Sequence, residues 1–124
     1  MLDRMKMFRV LFLACLAGWL GVVPTAPAAD ATARRVVALS LVNGALREGP
    51  DTVRVKQGEE VELRWSSDRP LTLHLHGYDI ESKVAPGSTT VMSFQAKLPG
   101  RFPVEVHGQP GHAHRAVLYL EVYP

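Results

Sequence analysis

Thr52–Trp65 reads TVRVKQGEEVELRW, and the pattern in these residues decides the fold. Val53 and Val55 alternate with Arg54 and Lys56; beyond Gln57-Gly58, Val61, Leu63 and Trp65 alternate with Glu60, Glu62 and Arg64. Successive side chains of an extended strand point to opposite faces, so a period of two over each run predicts two half-buried strands, each with one wet face. The Gln57-Gly58 step between them supplies the turn.

Working outward, the same period continues on both sides. After a turn at Ser66–Pro70, Leu71, Leu73 and Leu75 form one face, and by parity Thr72, His74 and His76 share the other. A weaker strand follows from Ile80 to Val84, ended by Ala85-Pro86-Gly87-Ser88. Thr89–Ala96 then directs Met92 and Phe94 inward. After Leu98-Pro99-Gly100, Phe102, Val104 and Val106 face the core opposite Glu105 and His107. The closing strand, Ala116–Tyr123, alternates Leu118, Leu120 and Val122 with Val117, Tyr119 and Glu121.

Toward the N-terminus, Val36–Val42 is a strand followed by Asn43-Gly44, the strongest short-range turn signal of the chain. That turn either closes a hairpin or opens a loop, because the breaker cluster Glu48-Gly49-Pro50-Asp51 lies close behind. Outside the N-terminal apolar run no 3.6-residue pattern lasts three turns. The prediction is an all-β sandwich or barrel of seven or eight strands, with Trp65, Phe94, Phe102, Val104 and Leu120 in its core.

Residues 1–28 read as a secretory signal peptide: Arg4, Lys6 and Arg9 precede the apolar run Val10–Val23, and Ala26-Pro27-Ala28 is a small-residue cleavage pattern. Residues 29–35 then form a flexible leader and residues 36–124 the domain. The whole chain carries a formal charge of +2, with 14 Lys and Arg against 12 Asp and Glu. Arg4, Lys6, Arg9 and Asp3 leave with the signal, and what remains is balanced. A neutral domain without a basic cluster offers no electrostatic case for nucleic acid, or for a membrane after signal cleavage. The single cysteine, Cys15, also lies in the signal. The domain therefore has neither a disulfide nor a thiolate nucleophile or ligand.

All five histidines fall in two short stretches, Leu73–Asp79 (LHLHGYD) and Gly100–Pro124 (GRFPVEVHGQPGHAHRAVLYLEVYP). His74 and His76 lie two apart on a strand, on one face and about 7 Å apart at Cα, within reach of one metal. His112 and His114 repeat the spacing in a predicted loop, and His107 stands just before it. Either pair alone is weak evidence and reads better as solvent-facing histidines; together with His107 the two pairs point to a metal site of His74, His76, His107, His112 and His114. No GxSxG is present, and Ser88 and Ser93 have no Asp-His partners that sequence suggests.

The succession TVRVKQGEEVELRW, a histidine after an apolar strand, VAPGSTTVMSFQAKLPGRF, PGH and a closing L-x-V resembles the cupredoxin-like family over about Val36 to Pro124. The resemblance implies a Greek-key β-sandwich with a copper site at one end, built from a mid-chain His and from Cys, His and often Met near the last strand pair. Matched residue by residue, His112 of the PGH is a family ligand, and His74, with His76 as the alternative, is the mid-chain one. The cysteine slot falls on Val106 counted from Gly100, or on His107 counted from the PGH, and the axial methionine slot on Ala116. Without thiolate and methionine the family's blue-copper electron transfer does not carry over.

An all-imidazole set suits Cu(II) first and zinc second. The expectation is a periplasmic or secreted, non-blue copper-binding protein, not an enzyme, that holds or delivers copper and meets the metal ion and another envelope protein. The alternative from a different class is a metal-free sandwich serving as an accessory or interaction module. Metal stoichiometry on untagged protein separates the two.

Overall fold

The computed structural model describes residues 32–108 and 115–124. Among them are nine strands and no helix: β1 (Arg34–Val42), β2 (Ala45–Glu48), β3 (Thr52–Lys56), β4 (Glu60–Ser67), β5 (Leu71–Leu75), β6 (Ile80–Val84), β7 (Thr90–Gln95), β8 (Gly100–His107) and β9 (Ala116–Tyr123). They form two sheets, β2-β1-β4-β7 and β3-β9-β8-β5-β6. Most neighbours within a sheet are not consecutive in sequence, as Greek-key crossings between the layers of a sandwich require. β1 runs parallel to β4 and β3 parallel to β9; the other pairs are antiparallel.

The alternating residues meet between the sheets. Val53, Val55, Val61, Leu63, Trp65, Leu71, Leu73, Leu75, Met92, Val104, Val106, Leu118, Leu120 and Val122 are all buried in one cluster. Each such side chain is worth about 1.5–3 kcal/mol when taken from water. Trp65, Val104 and Leu120 occupy the core as predicted. Phe94 and Phe102 are only partly buried and pack against its edge, where the Tyr78 ring meets Phe94 tilted at a centroid distance of 5.1 Å and Phe102 edge-to-face at 5.2 Å.

Three expectations are corrected. The strand count is nine because Asn43-Gly44 closes a hairpin. Asn43 and Gly44 both have positive φ, 53° and 73°, the pairing a type I′ turn needs, and it folds β2 directly back on β1. Order begins before the end of the predicted leader, since Arg34 and Arg35 already pair with Glu60 and Val61. On β9 the parity breaks: Val104 pairs with Leu118 but Glu105 with Ala116, so Val117 is an extra, bulged residue. Val117 and Leu118 are both buried as a result.

Glu62 also departs from the expected wet face, being buried on the outer side of the four-stranded sheet. It accepts hydrogen bonds from Arg64 Nε at 2.6 Å and from Arg34. The Arg64 bond holds its carboxyl below the ordinary carboxylate range; burial pulls the other way, and Arg34 adds to the lowering.

Candidate metal centre

The parity that buries Leu71, Leu73 and Leu75 sends Thr72 and His74 to the outer face of the five-stranded sheet, and on β8 the same logic sends Glu105 and His107 there. Register then decides who meets whom. β5 and β8 pair Thr72 with His107 and His74 with Glu105, so His107 sits diagonally across from His74, within reach of long side chains. The ladder runs one residue past β5, the His76 N–H donating to the Pro103 carbonyl at 3.0 Å. His76 therefore keeps the face of His74.

The outcome is a trio of imidazoles. Ring centroids of His74 and His76 are 4.3 Å apart, those of His74 and His107 5.3 Å, and those of His76 and His107 6.3 Å. Each residue offers one ligand atom such that all three lie within 4.8 Å of one another. A tetrahedral ion with bonds of about 2.0–2.1 Å needs ligand atoms about 3.3 Å apart, so small side-chain rotations close the site. The three rings are half-buried, and a depression bordered by Thr72, Lys83 and Gly108 opens beside His107.

Two carboxylates line the trio. Glu105 Oε2 is 2.9 Å from His76 Nε2 and 4.0 Å from His107 Nε2, and Asp79 Oδ1 is 3.2 Å from His74 Nε2. The remaining nitrogen of His74, Nδ1, is buried and has no hydrogen-bond partner among the described residues. A buried lone pair beside two other imidazoles is what a metal ion would satisfy, so this donor set fits a borderline cation such as Cu(II) or Zn(II).

The turn that carries His76 and Asp79 is itself fixed. Gly77 has φ +80°, and a Cβ there would lie 2.3 Å from the Phe102 ring, so both conformation and space demand glycine. Next to it, the Tyr78 hydroxyl donates to the Leu98 carbonyl at 2.9 Å and accepts from the Leu98 N–H at 3.0 Å. These contacts pin the loop between β5 and β6.

The structure thus brings together His74, His76 and His107, and the first and last of these belong to strands on a sheet face rather than to end loops. His112 and His114 lie outside the described residues. Of the two frames for the cysteine slot, the one that lands on Val106 leads into the core, whereas His107 is on the site side. Sequence reasoning did not place Glu105 and Asp79 in the site. Glu105, two residues before His107 and hence on its face, was recoverable from parity; the Asp79 contact depends on the turn.

No protein-family profile matches the chain, and no curated protein matches it. Solved structures do. A chain of a heme-copper terminal oxidase dimer superposes with a TM-score of 0.63 at 21% identity over 75% of this chain, which spans only 66% of that one. A copper binding protein in its apo form gives 0.58 at 10% identity, covering 74% of this chain and 90% of the other. Auracyanin A, a blue copper protein from Chloroflexus aurantiacus, gives 0.55 at 13%, covering 73% and 99%. The fold is therefore cupredoxin-like. Among the described residues no helix is long and apolar enough to cross a membrane.

Proposed function

We propose that this chain is an exported cupredoxin-like protein that binds Cu(II) at a non-blue site of His74, His76 and His107, for holding or delivery of the metal. The observation that carries the reading is the convergence of the three imidazoles. Its support from comparison is the likeness to a copper binding protein. Imidazole nitrogen prefers Cu(II) over Zn(II) on intrinsic affinity; zinc is the competitor. Glu105 and Asp79 would offset the dication's charge. His112 and His114 are proposed as additional ligands from the same sequence cluster.

Because Cys15 is the chain's single cysteine and belongs to the proposed signal, no thiolate reaches the metal. Electron transfer of the blue-copper kind is therefore not part of the proposal, and neither is catalysis. A half-buried site on an open sheet face suits exchange with a partner in the cell envelope. Export to the periplasm or beyond rests on residues 1–28.

The second reading, a metal-free accessory module, draws on one specific feature: His74 and His76 each already have a carboxylate partner. Untagged protein, stripped and then dialysed against Cu(II) or Zn(II), separates the two. The copper reading expects about one tightly held Cu(II) per chain, pale in colour, with nitrogen splitting in its electron paramagnetic resonance spectrum. Absence of stoichiometric binding would favour the module, and an intense blue complex would contradict both.

A further inference from the structure

We infer that Asp79 is a positioning residue of this site: it locks His74 as the Nε2–H tautomer and so assigns metal coordination to His74 Nδ1. The inference rests on the metal reading above for its second half only. An ionised carboxylate accepts hydrogen bonds and cannot donate. With Asp79 Oδ1 at 3.2 Å from His74 Nε2, the proton belongs on Nε2. The opposite tautomer would aim a lone pair at a carboxylate oxygen. A doubly protonated ring would bury an N–H at Nδ1, which has no acceptor among the described residues. Only the Nε2–H form leaves a lone pair at Nδ1, and Nδ1 is the nitrogen that is sealed from water.

The backbone is shaped for this contact. Asp79 sits at φ 57°, one of two non-glycine residues with positive φ among the described residues. Aspartate tolerates that region better than most side chains. The turn preceding it is anchored by Gly77 against Phe102 and by Tyr78 on Leu98. The Asp79 side chain is almost fully exposed, so it contributes nothing to the core, and replacing it leaves packing untouched. What it contributes is an acceptor for the Nε2–H, which is how an outer-shell carboxylate orients a histidine and raises its worth as a ligand.

The test uses Asp79→Gly, which suits the left-handed backbone while deleting the acceptor, and Asp79→Asn, which keeps an acceptor oxygen without the charge. Cu(II) affinity is measured by competition with a chromophoric chelator, and the His74 tautomer by nitrogen-15 NMR of the metal-free and Zn(II)-loaded protein. Expected are a wild-type His74 held as Nε2–H, Zn(II) on Nδ1, a smaller excess of the Nε2–H form and about 10–100-fold weaker binding in Asp79→Gly, and recovery of most of the loss in Asp79→Asn. Asp79→Gly with wild-type tautomer and affinity, or Zn(II) found on Nε2, would overturn the inference. If the wild type binds neither metal, the metal reading fails on its own. The metal-free tautomer still decides the role of Asp79: a pinned ring upholds it, a mixture removes it.

Discussion

The two sheets each carry a carboxylate cluster on the outer face, and the two clusters are built to opposite ends. On the four-stranded sheet Glu62 is enclosed by the guanidinium groups of Arg34 and Arg64. On the five-stranded sheet Glu105 and Asp79 meet imidazoles. Guanidinium has donors and no lone pair, so it satisfies a carboxylate and has nothing left to offer. A neutral imidazole that donates through one nitrogen keeps a lone pair on the other. The first cluster is closed and structural, while the second remains open to a cation. A row of polar side chains on a sheet becomes a candidate site through this leftover valence, not through its charge.

The comparison can be broken most severely on the open side. His74→Ala combined with His107→Ala should weaken Cu(II) binding by at least about 100-fold, beyond the usual range for outer-shell changes, and leave the thermal midpoint of the metal-free protein little changed. Equilibrium dialysis and a melting curve on the same sample check both halves. Next comes the turn that carries the site. Gly77→Ala should cost about 1–3 kcal/mol, from a left-handed φ and a Cβ driven into Phe102, read as a lower urea midpoint together with weaker metal binding. Tyr78→Phe, losing the paired bonds to Leu98, should cost about 0.5–1.5 kcal/mol, measured the same way.

The smallest effect belongs to the closed side and is confined to acid. Because Arg64 and Arg34 hold the Glu62 carboxyl below its ordinary value of 4.5, the folded state binds that proton more weakly than the unfolded chain does. The stabilisation is then complete above the unfolded value and is lost as pH falls through the lowered folded one. Glu62→Gln should be less stable than wild type at neutral pH, with the gap closing below about pH 4.5 and Cu(II) affinity unaffected. A gap independent of pH would show that the charge of Glu62 is not what Arg34 and Arg64 stabilise.

How much of this was legible depends on what each feature rests on. Val53, Val55, Val61, Leu63 and Trp65 announce their strands because parity alone decides which face is buried. β2 has no such signal: of Ala45, Leu46, Arg47 and Glu48 only Leu46 is even partly buried, and the strand exists because of the turn before it. Parity was also blind to the Val117 bulge, since one inserted residue reverses the faces without any mark in composition. Glu62 read as solvent-facing because Arg34, 28 residues away in sequence, arrives only through the parallel pairing of β1 with β4. In the site, parity placed His74 beside His76 and Glu105 beside His107. It could not supply the register between β5 and β8 that sets these pairs side by side.

The position of β9 bears on how the chain must be made. β9 lies between β3 and β8, and Leu118, Leu120 and Val122 fill the middle of the core. A nascent chain therefore has no means of joining its early strand β3 to the rest of that sheet until residues 116–123 have been synthesised. Closure is a late event built on long-range contacts, the kind that slows folding. Until β9 is available, β3 has no neighbour to pair with in that sheet, and the sandwich stays incomplete.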